Sequence, residues 1–240
     1  MSRFTVKITK ASAKGRRNKP NFSIAILTAG VGSRIKSYEP RSMLRIGEKT
    51  LIEHQIDTLK NVFGETEVIG VVGFDAQRII KKLNGKAIRI IENQMYESTN
   101  TSESLRLAFN NNIQESFMFM HGDLLFNTDT FMDVDFNQSF ILVDTQGQFD
   151  SKEVGVTVDS KNTANIFSYG LTTKWCQIAY ITGKELKIAK NLFNKFENHD
   201  KKMLSFEVLN KMIMMGACFK CYEPRNMKIL EIDRIRDVTK

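Results

Sequence analysis

The 240-residue sequence predicts an α/β fold, a sheet with helices on both faces, and a small antiparallel portion in its C-terminal half. Three observations carry that expectation. Short apolar runs of β-forming residues recur at 23–27, 68–73, 86–91 and 116–121, each too short to be a buried helix. Helix-period stretches at 50–62 and 75–83 alternate with the first three runs, and strand–helix–strand order with right-handed crossovers makes a parallel sheet. Past residue 135 the β-like runs follow one another at 139–143, 154–158, 163–168 and 176–182, with no helix between the first three.

The N-terminal stretch stands apart. Residues 1–21 hold seven basic residues and no acid, against a net charge of +8 for the whole chain. The remainder is nearly neutral, so the basic balance does not argue for a nucleic-acid partner. The alternation of Phe4, Val6 and Ile8 suits a short strand better than an amphipathic presequence, and the following basic residues read as a tether. No apolar run is long enough to span a bilayer, and no apolar core follows the N-terminal charges as in a secretory signal. Three cysteines fit a reducing, cytoplasmic compartment. Cys218 and Cys221 form a C-x-x-C within an expected strand that would turn them to opposite sides, and no second pair completes a zinc site. Residues 22–240 therefore read as one domain, with a nucleotide-binding part to 135 and an acceptor-binding part after it.

The first strand, 23–27, runs into Thr28-Ala29-Gly30-Val31-Gly32-Ser33-Arg34. Small residues admit a ligand close to the backbone, successive N–H groups of such a turn bind anions, and Arg34 adds a fork that suits phosphate oxygens. The loop reads as a triphosphate cradle, strengthened by Pro40-Arg41 and Lys49 downstream. Thr50 with Glu53 three residues on is a capping box for the first helix, and Gly64 ends it. The polar segment 92–104 precedes a helix that Thr101 or Ser102 would cap, and it lies where a second binding loop would face the first. The strand at 116–121 delivers Gly122-Asp123, placing a carboxylate at the C-terminal edge of the sheet, where α/β proteins bind ligands. Helices are expected at 183–196 and 205–215, the latter with Phe206, Leu209, Met212 and Ile213 as its apolar face. A last strand, 229–232, delivers Asp233.

Leu27, Ala29, Gly30, Gly32 and Arg34, then Pro40, Leu44, Gly47, Lys49, Leu51, Ile52 and Glu53, resemble the signature of the GT-A-like nucleotidyltransferases, in the phosphocholine cytidylyltransferase and sugar-phosphate nucleotidyltransferase group. Arg41 stands where that family has lysine, and Glu48 is inserted before Lys49. Asn93, Tyr96, Thr99, Asn100, Ser104 and Leu105 match the second loop of the members that make cytidine diphosphate-choline or similar products. The resemblance implies a Rossmann-like mixed sheet, the nucleotide-diphospho-sugar transferase fold, and transfer of a nucleoside monophosphate to a phosphorylated small molecule with release of pyrophosphate. It implies Leu27, Ala29, Gly30, Gly32, Ser33 and Arg34 around the triphosphate, Asn100, Thr101 and Ser104 beside the base and ribose, and Asp123 and Asp233 on Mg²⁺. Arg41 or Lys49 would neutralise the attacking phosphate, with Arg34 as the third catalytic cation.

Three rival readings stand beside this one. A glycosyltransferase of the same fold class would show D-x-D after the fourth strand, whereas this chain has His121-Gly122-Asp123. A molybdopterin guanylyltransferase shares the first motif but fits the Thr99-Asn100 loop less well. A non-catalytic nucleotide-binding protein would tolerate Arg41 in place of lysine. The acceptor is open between choline phosphate, for which Tyr169, Trp175, Tyr180 and Tyr222 are available as an aromatic cage, and a sugar phosphate. The partners expected are a nucleoside triphosphate and that acceptor, with no nucleic acid and no membrane; oligomeric state is open.

Overall fold

The computed structural model describes residues 21–31, 39–147 and 150–232. The expected strand and tether in the N-terminal 20 residues therefore fall outside the described residues, as do Gly32, Ser33, Arg34 and Asp233. The chain runs β1 (Phe22–Leu27), a 3-10 turn at Arg41–Met43, β2 (Arg45–Ile46), β3 (Lys49–Thr50), α1 (Leu51–Phe63), β4 (Glu67–Val72), α2 (Ala76–Leu83) and β5 (Arg89–Glu92). It continues through α3 (Thr101–Asn110), β6 (Ser116–His121), β7 (Leu124–Phe126), a 3-10 turn at Thr128–Phe131, β8 (Phe140–Asp144), β9 (Val154–Val158), β10 (Ala164–Tyr169) and β11 (Lys174–Thr182). The remainder is α4 (Gly183–Asn194), a 3-10 turn at Asp200–Lys202, α5 (Ser205–Met214), β12 (Lys220–Tyr222) and β13 (Ile229–Glu231).

Among the described residues, nine strands form one mixed sheet in the order β10-β9-β11-β6-β1-β4-β5, with β8 beside β11 and β12 beside β8. β1 sits near the centre and pairs in parallel with both β4 and β6. Its six residues are all buried because helices cover both faces. Ala25 and Leu27 face the layer of α3, α4 and α5 with Ile69, Val71, Phe117 and Phe119. Ile24 and Ile26 face the layer of α1 and α2 with Val68, Val72, Met118 and Met120. The period-two alternation thus becomes two cores, one on each side of a single sheet.

The antiparallel portion is a continuation of this sheet. β11 pairs antiparallel with β6 through Ile178–Met120 and Tyr180–Met118. Among the described residues no helix lies between 135 and 182; β9 and β10 form a hairpin, and β11 then runs antiparallel to β6, β8 and β9. Separate antiparallel pairs are β2–β3 and β7–β13. The edge strand β10 is closed by a side chain: Asn210 of α5 accepts from the Phe167 N–H and donates to the Phe167 carbonyl, both at 2.8 Å. One amide thereby occupies the hydrogen-bonding pair that a further strand would take.

Two local readings change. The strand expected from residue 86 begins at Arg89, because Gly85 at φ 79° and the Lys86 N–H, bonded to Leu83 at 3.0 Å, are used in turning out of α2. Asn100 caps α3 in place of Thr101 or Ser102; its Oδ1 accepts the Thr101 N–H at 2.8 Å. Ser102 is buried and donates to the Asp200 carbonyl at 2.7 Å.

The box at the start of α1 is as expected, and larger. Glu53 accepts from the Thr50 N–H at 2.9 Å and the Thr50 hydroxyl at 2.8 Å. Its carboxylate also meets the ammonium groups of Lys82 at 3.0 Å and Lys86 at 3.5 Å. Burial alone would raise its pKa, but the bonds from Thr50 and Lys82 together bring it down from 4.5 to about 2. A depressed carboxylate stabilises the fold above its unfolded pKa and loses that contribution as pH falls through the folded one. Glu53→Gln is therefore expected to destabilise the protein by about 1–3 kcal/mol at neutral pH. In urea titrations the gap to wild type should close between pH 4.5 and about 2; a gap independent of pH would assign the loss to packing.

Candidate active site

One cleft of about 420 Å³ opens at the C-terminal edge of β1 and β6, and the segments singled out in the sequence converge on it. The parallel register places Leu27 opposite His121. The Gly122 N–H then bonds the Leu27 carbonyl at 2.9 Å, and the Thr28 N–H bonds Val71 at 2.9 Å. Ala29, Gly30 and Val31 leave β1 along one wall of the cleft. The Thr28 hydroxyl donates to Ser42 Oγ at 2.6 Å, in a buried contact that ties the loop to the 3-10 turn carrying Arg41.

The second loop is built around Asn93, which is 2% exposed. Its amide nitrogen donates to Thr99 Oγ1 and Ser104 Oγ, both at 3.2 Å, and its Oδ1 accepts from the Met95 N–H at 3.1 Å. Asn100, Thr101 and Ser104 are held on the cleft wall. The segment before α5 fixes them from behind: the Asn100 N–H bonds Lys201 O at 2.8 Å, and Thr101 Oγ1 accepts from the Ser205 N–H at 2.8 Å. Ser205 Oγ also bonds His121 Nε2 at 2.8 Å. Burial lowers the His121 pKa against the opposing pull of the Asp123 carboxylate, so this ring is neutral at pH 7.

At the centre, Arg41 Nη1 lies 2.8 Å from Asp123 Oδ2, with side-chain exposures of 18% and 13%. Asp123 Oδ1 is buried and has no hydrogen-bond partner among the described residues. Asp123 therefore does not cap the turn at Thr128–Phe131, which starts at Asn127. A buried carboxylate oxygen left open in a cleft suits a hard cation that also takes phosphate oxygens and water. Among the described residues no group of three or more His, Cys, Asp or Glu is arranged to hold a metal. The Ile232 N–H bonds the Asp123 carbonyl at 2.7 Å, so the described chain ends beside this aspartate.

The far half of the cleft is lined by Lys152, Glu153, Tyr169, Trp175, Gln177, Phe206 and Glu231. Tyr169 and Phe206 meet edge to face at 5.5 Å, and Trp175 donates Nε1–H to Ile178 O at 3.2 Å. Trp175 is 1% exposed and belongs to the core, and the two other aromatic candidates do not offer a face to the cleft. Tyr180 is fully buried and stacked on Phe140 at 5.1 Å, and Tyr222 accepts from Gln138 at 2.7 Å away from the cleft.

Leu27, Ala29, Gly30, Arg41, Asn100, Thr101, Ser104 and Asp123 thus share one cleft. Lys49 does not line it. Its ammonium pairs with Asp57 at 2.7 Å on the exposed side of α1, because the two-residue pairing of β2 with β3 turns it outward. The role of acceptor-phosphate contact is withdrawn from Lys49. Ser42, Ser205, Gln177 and Glu231 went unread in the sequence. Ser205 carried a signal, as the first residue of a helix with Glu207 two positions on; Gln177 carried none.

A mixed α/β domain with helices on both faces of its sheet, and a cleft at the C-terminal edge of β1 and β6, is the class that this structure defines. Residues 24–134 match the family described as MobA-like NTP transferase domain. A segment of 78 residues is 30% identical to the bifunctional protein GlmU of Koribacter versatilis, covering 32% of this chain and 17% of that protein. The chain thus spans only a small part of the curated relatives it matches. Solved structures align over nearly the whole chain. The CTP:phosphocholine cytidylyltransferase of Streptococcus pneumoniae has TM-score 0.71 at 18% identity, covering 91% of this chain and 96% of that one. The inositol-1-phosphate CTP transferase of T. maritima has TM-score 0.72 at 19% identity, covering 92% and 93%. These likenesses show the fold.

Gly122 lets the end of β6 lie directly against the start of the β1 loop. A Cβ there would stand 2.8 Å from Thr28 Cβ and 3.0 Å from the Leu27 carbonyl, and the latter is strand backbone that does not yield. Gly122→Ala is expected to cost about 1–3 kcal/mol of stability and to abolish the rise in melting temperature on adding a nucleoside triphosphate. An unchanged ligand-induced rise would show that the cleft tolerates separation of these segments.

Proposed function

We propose that this protein is a nucleotidyltransferase that moves a nucleoside monophosphate from a nucleoside triphosphate onto the phosphate of a small acceptor. The observation that supports it best is the convergence of the β1 loop, the Asn100–Ser104 wall and the Arg41–Asp123 pair on one cleft. An acceptor phosphate oxygen forms a bond to the α-phosphorus, the bond from that phosphorus to the β-phosphate bridge breaks, and pyrophosphate leaves. The protein's task is positioning and charge neutralisation.

In this reading the β1 loop, continued by Gly32, Ser33 and Arg34, receives the β- and γ-phosphates. Asn100, Thr101 and Ser104 border the base and ribose. Asp123, with Asp233 as the second carboxylate that the resemblance implies, would hold Mg²⁺, which would withdraw charge from the phosphate oxygens. Arg41 sits between the two halves of the cleft and orients the acceptor phosphate through two parallel N–H groups. The far half, with Tyr169 packed edge to face on Phe206 and with Glu153 and Glu231 beside them, favours choline phosphate over a sugar phosphate, while Trp175 supports that wall from the core.

Asp123→Asn is expected to keep the fold and remove turnover, measured as pyrophosphate release from each of four triphosphates with choline phosphate, ethanolamine phosphate and sugar 1-phosphates. Pyrophosphate release by wild type separates this reading from a non-catalytic nucleotide-binding protein, and silence with every pair would refute it. Arg41→Ala should lower kcat/KM for the acceptor by roughly 10- to 1,000-fold, with Arg41→Lys partly active. Lys49→Ala should match wild type; a collapse in that variant alone would move the phosphate contact away from Arg41.

A further inference from the structure

Gln177 is the feature of the cleft that the proposed reaction does not yet use. It is a non-glycine residue at φ 58°, in the left-handed region. The strain comes from a bulge: Trp175 pairs with Val143 but Ala179 already pairs with Ile141, so β11 carries extra residues at this point. A bulge re-aims a side chain, and here it sends a long amide into the far half of the cleft. There Gln177 Nε2 donates to Glu231 Oε2 at 2.6 Å. The amide therefore ties the bulge of β11 to the end of β13, Ile229–Glu231. Glutamine at a left-handed backbone position costs energy that glycine would not, so the fold retains it at a local disadvantage.

Resting on the nucleotidyltransferase reading, we infer that Gln177 is a selectivity residue for the acceptor. Its side chain floors the far half of the cleft and fixes the direction of the Glu231 carboxylate. It leaves room for a compact phosphorylated head group such as choline phosphate and excludes the ring of a hexose 1-phosphate. The triphosphate half, on the other side of Arg41 and Asp123, does not involve it.

Gln177→Gly tests this directly, because glycine accepts the backbone angle and relieves the strain, so the variant folds. Steady-state pyrophosphate release is measured for wild type and variant with choline phosphate and with glucose 1-phosphate, alongside melting temperature. Wild type is expected to prefer choline phosphate. In the variant, kcat/KM for choline phosphate should fall by roughly tenfold or more and that for glucose 1-phosphate should rise, with triphosphate KM within about twofold and the melting temperature unchanged or higher. An unchanged ratio of the two acceptors in the folded variant overturns the role of Gln177 and leaves the nucleotidyltransferase reading standing. A wild type that prefers glucose 1-phosphate does the same. No pyrophosphate release from wild type with any acceptor overturns that reading and this inference together.

Discussion

The parallel pairing of β1 with β6, from Phe22 opposite Ser116 to Leu27 opposite His121, fixes the level at which both strands end. The side-chain period of a strand is two, so a slip by one residue would exchange the two buried faces. Such a slip would set Ala25 and Leu27 against α1 and α2, and Ile24 and Ile26 against α3. That penalty locks the register. With the register locked, the Gly122 N–H meets the Leu27 carbonyl, the glycine-rich loop and Asp123 leave the sheet side by side, and Ser42 reaches Thr28. The cleft is a consequence of core packing well beneath it.

This dependence explains which parts were legible in the sequence. Runs such as FSIAIL and SFMFMH are fully apolar and bounded, so their nature as strands followed from length and composition, and their ends fell within a residue of the observed ones. Asp123 was legible because a carboxylate directly after such a strand has few places to go. The cap of α3 was not, since Asn100, Thr101 and Ser102 all carry capping oxygens. Tertiary partners decided between them: Ser102 is claimed by Asp200 and Thr101 by Ser205. The continuation of the sheet through β11 was equally hidden, because β-like runs do not announce which strand they join.

Lys49 and Gln177 show the opposite limits of motif reading. Lys49 sits in the strongest stretch of the sequence pattern, yet the β2–β3 pair turns its side chain to Asp57. Gln177 belongs to no pattern, yet a bulge aims it into the cleft. Spacing along the chain specifies a side chain's direction only while the backbone is regular. A two-residue strand or a bulge breaks that relation, and both occur at the rim of the sheet, where ligands are met.

The Arg41–Asp123 pair ties these points to chemistry. Both groups are largely removed from water, and each alone would carry a desolvation cost that the other offsets. The pairing is geometrically incomplete, since Asp123 Oδ1 accepts no hydrogen bond from the described residues. On the proposed reaction neither partner would be left unpaired: Arg41 would turn its fork to phosphate, and Asp123 would be a residue to hold an accompanying cation. Charge is conserved locally in both arrangements, so the exchange requires neither side chain to cross bare into a low-dielectric interior. A guanidinium suits this better than an ammonium, because its several donors are held in one plane and contact with phosphate can begin before contact with Asp123 is fully lost. The replacement of lysine by arginine at this position thus favours a cleft in which binding of the phosphates and release of Asp123 are one event.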